Sequence, residues 1–375
     1  MEEKTNNKNF LKIFVIYFII LLAFVFVRIA SSMGLFDAIK DEIALDAIST
    51  GIIQIGILFV IPFGLYMLFL KKKPKEVFND FGYKKISAKT VLICFGIGIL
   101  AFILNIFISN FFAIILRYLG YNPQYSSGGG DGYNTFPKFL FGVLSVAILP
   151  AMCEEFVHRG MVLRGTSGII GYKKAIVLSS VLFGLMHLNV SQFFYATILG
   201  LLMGLVATMT RSIWPAVILH FTNNFINVFI SYSETVNLTP FSLTSFFDSL
   251  ASFNIIIFFV VVLVIVALTL YGVFVLLKKL FATTGYKNYN EMFENIEKEI
   301  RASHENVTDQ EVLLAFQKYV FPNMKTPQNI YDLYVADDKK YEKVDFKYKI
   351  PLICSFVLGI LITLYTFIWG VIWFQ

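Results

Sequence analysis

The fold of this chain is indicated by residues 139–160, FLFGVLSVAILPAMCEEFVHRG. An apolar run there leads directly into Glu154, Glu155, His158 and Arg159. Each ionisable side chain within a membrane span costs about 2.5 to 3.5 kcal/mol on insertion scales, so these side chains must pair with one another or face a wet cavity. The stretch therefore predicts a functional site inside a lipid bilayer.

The composition is that of a polytopic membrane protein. Of the 375 residues, 57% are hydrophobic and 15% are charged, and the chain contains 41 Phe and 19 Tyr. A soluble domain is typically about 25% charged. Several windows of about 20 apolar residues are each long enough to cross roughly 30 Å of hydrocarbon. We therefore expect an all-α polytopic membrane protein with about nine transmembrane helices and a small cytosolic helical insertion.

Apolar segments and polar loops divide the chain into five parts. The expected spans cover about 11–30, 51–70, 90–116, 138–163, 174–188, 192–210, 212–231, 252–277 and 350–374. The parts are the N-terminal helices (1–137), a core that carries the ionisable motifs (138–231), the region of the eighth span (232–279), the insertion (280–348) and a C-terminal span (349–375). The first apolar run lacks a signal-peptide cleavage site, so we interpret it as a retained span.

The distribution of Lys and Arg indicates the orientation in the membrane. Basic residues gather in 71–89 and after the fourth, sixth and eighth spans, whereas 121–137, 188–192 and 233–251 carry almost none. Cytosolic loops of membrane proteins carry the excess of Lys and Arg. The pattern predicts a cytosolic N-terminus and an external C-terminus. The net charge of +6 is then an orientation signal, and no nucleic-acid partner is indicated.

The insertion at 280–348 has the composition of a small helical domain. Thr308, followed by Glu311 three residues later, is typical of a helix start. A helical pattern of apolar residues, EVLLAFQKYVF, follows at 311–321. His304 has no partner nearby in the sequence, and lone surface histidines are common, so we assign it no catalytic role.

The fourth span carries a pair of glutamates with different neighbours. On a helix Glu155 and Arg159 are four residues apart and can form an ion pair. Glu154 points about 100° away from that pair. Glycines at 166–173 suit a turn, and an antiparallel hairpin closing there brings Glu154 and His187 to the same depth.

Two further motifs follow on later spans. Phe183 precedes His187 by one helical turn, and His220 shares a helix face with Asn224. A buried Glu can take a proton from water while a nearby His orients that water. A second His and an Asn amide can donate to a developing oxyanion. The three motifs together therefore favour hydrolysis without a covalent intermediate.

The order EExxxR, FxxxH and HxxxN on successive spans resembles the CAAX-processing and bacteriocin-processing (CPBP, or Abi) family of intramembrane glutamic endopeptidases, which includes CAAX prenyl protease 2. The sequence SIWP at 212–215 also resembles the family. The resemblance makes 138–231 the catalytic core. It implies that Glu154 activates water, that His187 orients it, that His220 and Asn224 donate to the oxyanion, and that Glu155, Arg159 and Phe183 support the site. It gives His158 no role.

The resemblance also implies the kind of partner. The substrate would be a membrane-associated protein or peptide, and the protein would need no cofactor and no metal.

The bias toward Lys, Ile, Asn and Phe indicates an AT-rich, bacterial genome, so the chain would lie in a bacterial cell membrane. Because bacteria mostly lack CAAX prenylation, we expect an unprenylated substrate.

Three other functions stay open from the residues alone. A metal-dependent peptidase could use Glu155 and His158 with His187 and His220. A non-catalytic immunity or scaffold protein could use the same fold, and a transporter could use the buried Glu and His as a proton relay.

The three cysteines, Cys94, Cys153 and Cys354, form no CxxC pair, so neither a disulfide framework nor a thiolate zinc site is indicated.

Overall fold

The computed structural model describes residues 2–121, 133–236, 238, 249–250, 252–303, 307–309, 311–312 and 344–372. These residues form helices α1 (Glu2–Ser32), α2 (Glu42–Thr50, Gly51–Val60 and Ile61–Leu70), α3 (Pro74–Asp80), α4 (Ala88–Tyr118), α5 (Phe136–Gly142, Val143–Ile148, Leu149–Glu155, Phe156–Arg164 and Gly165–Ile170), α6 (Tyr172–Met186), α7 (Val190–Thr210), α8 (Trp214–Thr235), α9 (Ile255–Ser303) and α10 (Phe346–Ile372). No β-strand occurs among them. The expected all-α polytopic architecture is confirmed.

Two of the expected spans differ from the others. Within the described residues, seven helices are long and apolar enough to cross a membrane, and α6 and α8 are not among them. Helix α6 has 15 residues, which at 1.5 Å per residue is about 22 Å and short of the hydrocarbon thickness. Helix α8 is long enough, with 22 residues, but it carries His220, Asn223 and Asn224. The two helices that depart from the span criterion are thus ones that carry motif residues.

Helices α2 and α5 contain wide π-helical stretches. They cover Gly51–Val60, Val143–Ile148 and Phe156–Arg164. Pro62 and Pro150 each follow one of these stretches by two residues. Proline lacks the N–H that an α-helical ladder needs, so the backbone bonds must rearrange around it. Such π-helical segments are rare and occur frequently at functional sites.

An aromatic cluster around Phe156 joins α5 to α2 and to residues 71–87, the basic loop that follows α2 and contains α3. The Phe156 ring lies 5.0 Å from that of Phe59 and 4.7 Å from that of Phe81, centroid to centroid. Phe63 and Phe78 complete the contact at 6.3 and 6.4 Å. Phe156 is fully buried. Aromatic pairs at these separations add about 0.5 to 1.5 kcal/mol each beyond the burial of area.

The basic loop is fixed to two helix ends by hydrogen bonds to its backbone. The guanidinium of Arg164, at the end of the last π-helical stretch of α5, donates to the Asp80 carbonyl at 2.9 Å. The Ser212 hydroxyl, before α8, donates to the Lys84 carbonyl at 2.7 Å. The Ile213 N–H donates to the Gly82 carbonyl at 2.9 Å. The helix ends on this face are therefore held close together.

The predicted turn between Glu154 and His187 is present. Helix α5 ends at Ile170 and α6 begins at Tyr172. Between them Gly171 has φ of 88°, a conformation that glycine adopts without the penalty other residues have. The two helices form an antiparallel hairpin, as the glycines at 166–173 indicate.

The insertion is described only in part. Thr308 and Glu311 form a capping box: the Thr308 N–H donates to Glu311 Oε2 at 2.9 Å, and the Glu311 N–H donates to Thr308 Oγ1 at 3.3 Å. The first of these bonds lowers the pKa of Glu311. Helix α9 continues without a break from the eighth span into the insertion. His304 and 313–343 lie outside the described residues, and the domain division stays a prediction.

Close packing of α6 on α7 yields a stability prediction. A Cβ added at Gly184 would lie 2.7 Å from the Phe193 carbonyl oxygen of α7, whereas one added at Gly64 meets nothing within 4 Å. We expect Gly184→Ala to lower the free energy of unfolding by about 1 to 3 kcal/mol through overpacking. Gly64→Ala is the matched control and should leave it unchanged or raise it, because alanine is the better helix former. Thermal melting in detergent compares the two variants, and equal melting temperatures would contradict the tight contact.

Candidate active site

One cavity is lined by residues from each of the three motifs. It has a volume of about 570 Å³, and its lining includes Glu154, His187, His220 and Asn224. The lining residues come from five consecutive helices, α4 to α8. The four residues that the sequence singled out therefore lie on one concave surface.

Beneath this surface lies a fully buried ion cluster. Arg159 donates to Glu155 Oε1 at 2.9 Å, and His220 Nδ1 lies 2.9 Å from the same oxygen. Arg159 also donates to the Gly200 carbonyl at 2.9 Å. Glu155 and Arg159 are both 0% exposed. The predicted pairing of Glu155 with Arg159 is observed, and it also holds His220 in place.

Glu154 has a different environment from its neighbour. Its side chain is 15% exposed, and its Oε2 lies 4.0 Å from His220 Nε2. Its Oε1 accepts a hydrogen bond of 3.1 Å from Gln54 Nε2 on α2. No partner of Glu154 is evident from the sequence, whereas the structure places the Gln54 amide on its carboxylate. A lone glutamine in an apolar span, 100 residues away, offers too little signal to be assigned to this carboxylate.

The hydrogen bonds of three histidines fix which ring nitrogen carries the proton. His187 Nδ1 lies 2.9 Å from the Phe183 carbonyl, and His158 Nδ1 lies 2.8 Å from the Glu154 carbonyl. A carbonyl oxygen only accepts, so Nδ1 donates in both rings. His220 Nδ1 likewise faces the Glu155 carboxylate. In the neutral form of each ring, Nε2 is then an acceptor.

A relay of side-chain amides orients Asn224. Asn105 Nδ2 donates to Asn223 Oδ1 at 3.2 Å, and Asn223 Nδ2 donates to Asn224 Oδ1 at 3.0 Å. Asn224 Nδ2 then donates to the Val146 carbonyl at 2.9 Å. This carbonyl lies four residues before Pro150, which has no N–H to offer it. Because Val146 can only accept, the direction of every amide in the relay is determined.

Asn105 and Asn223 were missed by the sequence reasoning. Both are buried, and both line the cavity. Asn223 had a usable signal, since it lies next to Asn224 in HFTNN. Asn105 is a single amide within the apolar α4, a kind of residue that often serves only to join helices.

Phe183 is surrounded by the ionisable residues of the site. Its ring centroid lies 5.0 Å from that of His187, 5.6 Å from that of His220 and 5.1 Å from that of His158. The Arg159 guanidinium lies 4.7 Å from the same centroid. A cation near an aromatic ring in a desolvated site is stabilised by about 2 kcal/mol. Phe183 thus packs between the buried cluster and the cavity.

The ligand set of a metal-dependent peptidase is not assembled. Glu155 Oε1 is occupied by Arg159 and His220, and His158 is fully buried with Nδ1 on a backbone carbonyl. Across the part of the chain that the structure describes, no group of three or more His, Cys, Asp or Glu side chains is arranged to hold a metal ion. The geometry therefore does not favour that alternative.

Comparison with known families agrees with the motifs. Residues 136–226 match the family described as type II CAAX prenyl endopeptidase, Rce1-like. The match covers every residue of the three motifs and confirms the family resemblance. Comparisons with curated proteins and with solved structures gave no match. The segment 136–226 is thus similar to intramembrane CAAX-type proteases, and it lies within an integral membrane protein.

The buried cluster predicts a large stability effect. Arg159→Met would leave the Glu155 carboxylate buried without its cation, and breaking such a pair costs about 3 to 5 kcal/mol. The double variant Glu155→Gln with Arg159→Met should recover most of this loss, since no charge is then stranded. Thermal melting in detergent measures both variants.

Arg117→Met, which removes an exposed guanidinium at the end of α4, is the control and should change the free energy of unfolding by less than about 0.5 kcal/mol. A small effect of Arg159→Met, similar to that of the control, would show that the cluster does not stabilise the fold.

Proposed function

We propose that this integral membrane protein is an intramembrane endopeptidase that hydrolyses a peptide bond of a membrane-associated protein or peptide. The observation that carries the proposal is the contrast between the two glutamates. Glu155 is fully buried and paired, whereas Glu154 is partly exposed in a cavity that it shares with His187, His220 and Asn224. One carboxylate is thus available to react while the other builds the site.

Glu154 and His187 act on the water in this proposal. The Glu154 carboxylate and the neutral His187 Nε2 are both acceptors, so one water can donate a hydrogen to each of them. The water oxygen is then free to attack the carbonyl carbon of the substrate. Glu154 takes a proton from the water as the new C–O bond forms, and passes it to the amide nitrogen as the C–N bond breaks. The products are a carboxylic acid and an amine, and no covalent enzyme intermediate is formed.

His220 and Asn224 stabilise the oxyanion. One hydrogen of the Asn224 amide is used by the Val146 carbonyl, and the second can point into the cavity. His220 already donates from Nδ1 to Glu155, so it donates from Nε2 only as an imidazolium ion.

Glu154→Gln and His187→Ala should each lower the rate of cleavage by at least about a hundredfold, because general base catalysis contributes about 10² to 10⁴ in rate. The Glu154 variant should remain as stable as the wild type, since it removes a charge that has no cation of its own. Peptides that accumulate in membranes of cells with each variant are compared by mass spectrometry, and melting temperatures are measured in parallel.

Cys153→Ala is the matched control on the same helix. Cys153 is buried in the core between α5 and the N-terminal helices, so its loss should leave the peptide profile unchanged. Wild-type cleavage by Glu154→Gln would refute the proposed mechanism. It would favour a non-catalytic scaffold or immunity protein if the wild-type profile also matched that of cells without the protein.

Gln54 should affect the reaction without supporting the fold. Its Nε2 donates to the Glu154 carboxylate, while its Oε1 is buried without a partner. Hydrogen bonds to charged groups contribute about 1.5 to 3 kcal/mol, so Gln54→Leu should lower kcat/KM roughly 10- to 100-fold. Melting should be unchanged. An unchanged kcat/KM would rule out this role.

A further inference from the structure

We infer that the cavity opens on the extracytoplasmic face of the membrane and takes an extended, uncharged segment from the interior of a membrane-anchored or exported polypeptide. This inference rests on the proposed function for its chemistry. The side on which the cavity opens is an independent property of the fold.

The first support is the position of the lining residues along their helices. In α4 the lining begins at Phe102 and continues to Asn110, in the half that leads to Tyr118. In α5 it runs from Ser145 to Glu154, in the half that begins at Phe136. In α7 it runs from Gln192 to Leu199, in the half nearest Asn189. All three halves lie toward the helix ends at Tyr118, Phe136 and Asn189.

The second support is the way the cavity is closed at its other end. Every residue from Glu155 to Leu163 on α5 is buried. Phe156 in this stretch packs on Phe81 of the basic loop. In contrast, Asn110 and Asn227 line the cavity and are exposed. Asn227 lies seven residues beyond His220, which is about 10 Å along the helix axis. The mouth is therefore on the face opposite the basic loop.

The third support is the charge of the two faces. The loop at 71–87 contains Lys71, Lys72, Lys73, Lys75, Lys84 and Lys85. The sequence stretches that follow or precede the helix ends on the side of the mouth, 119–135, 187–189 and 236–254, contain neither Lys nor Arg. The basic residues nearest these helix ends, Arg28, Lys40, Arg117 and Lys138, are scattered rather than clustered. The excess of basic residues marks the cytosolic side. The mouth consequently faces away from the cytosol.

The wall of the cavity indicates what it accepts. Between the mouth and the site the lining includes neutral amides and hydroxyls: Ser109, Asn110, Ser145, Gln192 and Asn227. Amide side chains donate and accept, as does the backbone of an extended peptide. The described lining contains no Lys or Arg.

A substrate cut three residues from its C-terminus would place a carboxylate within about 10 Å of Glu154. The wall offers that carboxylate no lysine or arginine, and Glu154 has the same sign of charge. A segment from the interior of a chain brings no such charge into the cavity. The wall therefore favours internal segments over terminal tripeptides.

Cysteine labelling in intact cells tests the side of the opening. Cys94, Cys153 and Cys354 are first replaced by alanine. Asn227→Cys and Asn110→Cys then place a thiol at the mouth, and Lys85→Cys places one on the opposite face as the matched control. We expect a membrane-impermeant maleimide to label both mouth cysteines in intact cells, and to label the Lys85→Cys protein only after permeabilisation. The reverse pattern, or protection of both mouth cysteines in both preparations, would overturn the inference.

Peptide profiling tests the substrate class. Peptides that differ between cells with the wild type and with Glu154→Gln should arise from extracytoplasmic segments, cut more than three residues from the C-terminus. Cuts in cytosolic segments, or release of terminal tripeptides, would overturn the inference while leaving the peptidase mechanism intact. If no peptides differ, the proposed function and the substrate class both fail, but the labelling result still reports the side of the opening.

Discussion

The site depends on one oxygen atom, Glu155 Oε1, which is shared by Arg159 and His220. A guanidinium and a carboxylate cannot both be removed from water unless each satisfies the other. Their contact brings α5 and α8 together at a fixed depth, and the second guanidinium bond, to the Gly200 carbonyl, adds α7. Three helices are thereby joined by a charge that water does not reach. This leaves the neighbouring carboxylate, one position earlier in the chain, as the one that reaches the cavity.

The sequence predicted the parts of this arrangement that are local. The i,i+4 pair of Glu155 and Arg159 follows from helical periodicity, and the meeting of Glu154 with His187 follows from the length of a hairpin closed by glycines. The depth of His220 did not follow, because α7 intervenes and nothing in the local pattern sets the register of α8. Gln54 and Asn105 were missed for the same reason. Their partners lie 100 and 118 residues away, and a single amide in an apolar span carries no periodic signal.

The number of spans shows a related limit of reading apolar length. Helix α6 is short and α8 is interrupted by polar residues, so the two helices fall below the criterion that the other seven meet. Both are nevertheless packed within the bundle, where their neighbours provide the apolar surroundings that lipid provides for an isolated span. A helix that lines a wet cavity gives up hydrophobicity on that side. A criterion based on length and hydropathy therefore misses two of the helices that carry the motif residues of the site.

Pro150 has a consequence for any attempt to make this protein more robust. A proline within a helix is an obvious target for stabilisation, because replacing it restores a backbone hydrogen bond. Here the restored N–H would compete for the Val146 carbonyl, to which Asn224 is tied. The relay from Asn105 would lose its fixed end, and each amide in it would be free to rotate. Repairing the helix and keeping the cavity amides aligned are thus opposing demands on a single carbonyl oxygen, and a gain in thermostability would be traded against the order of the candidate site.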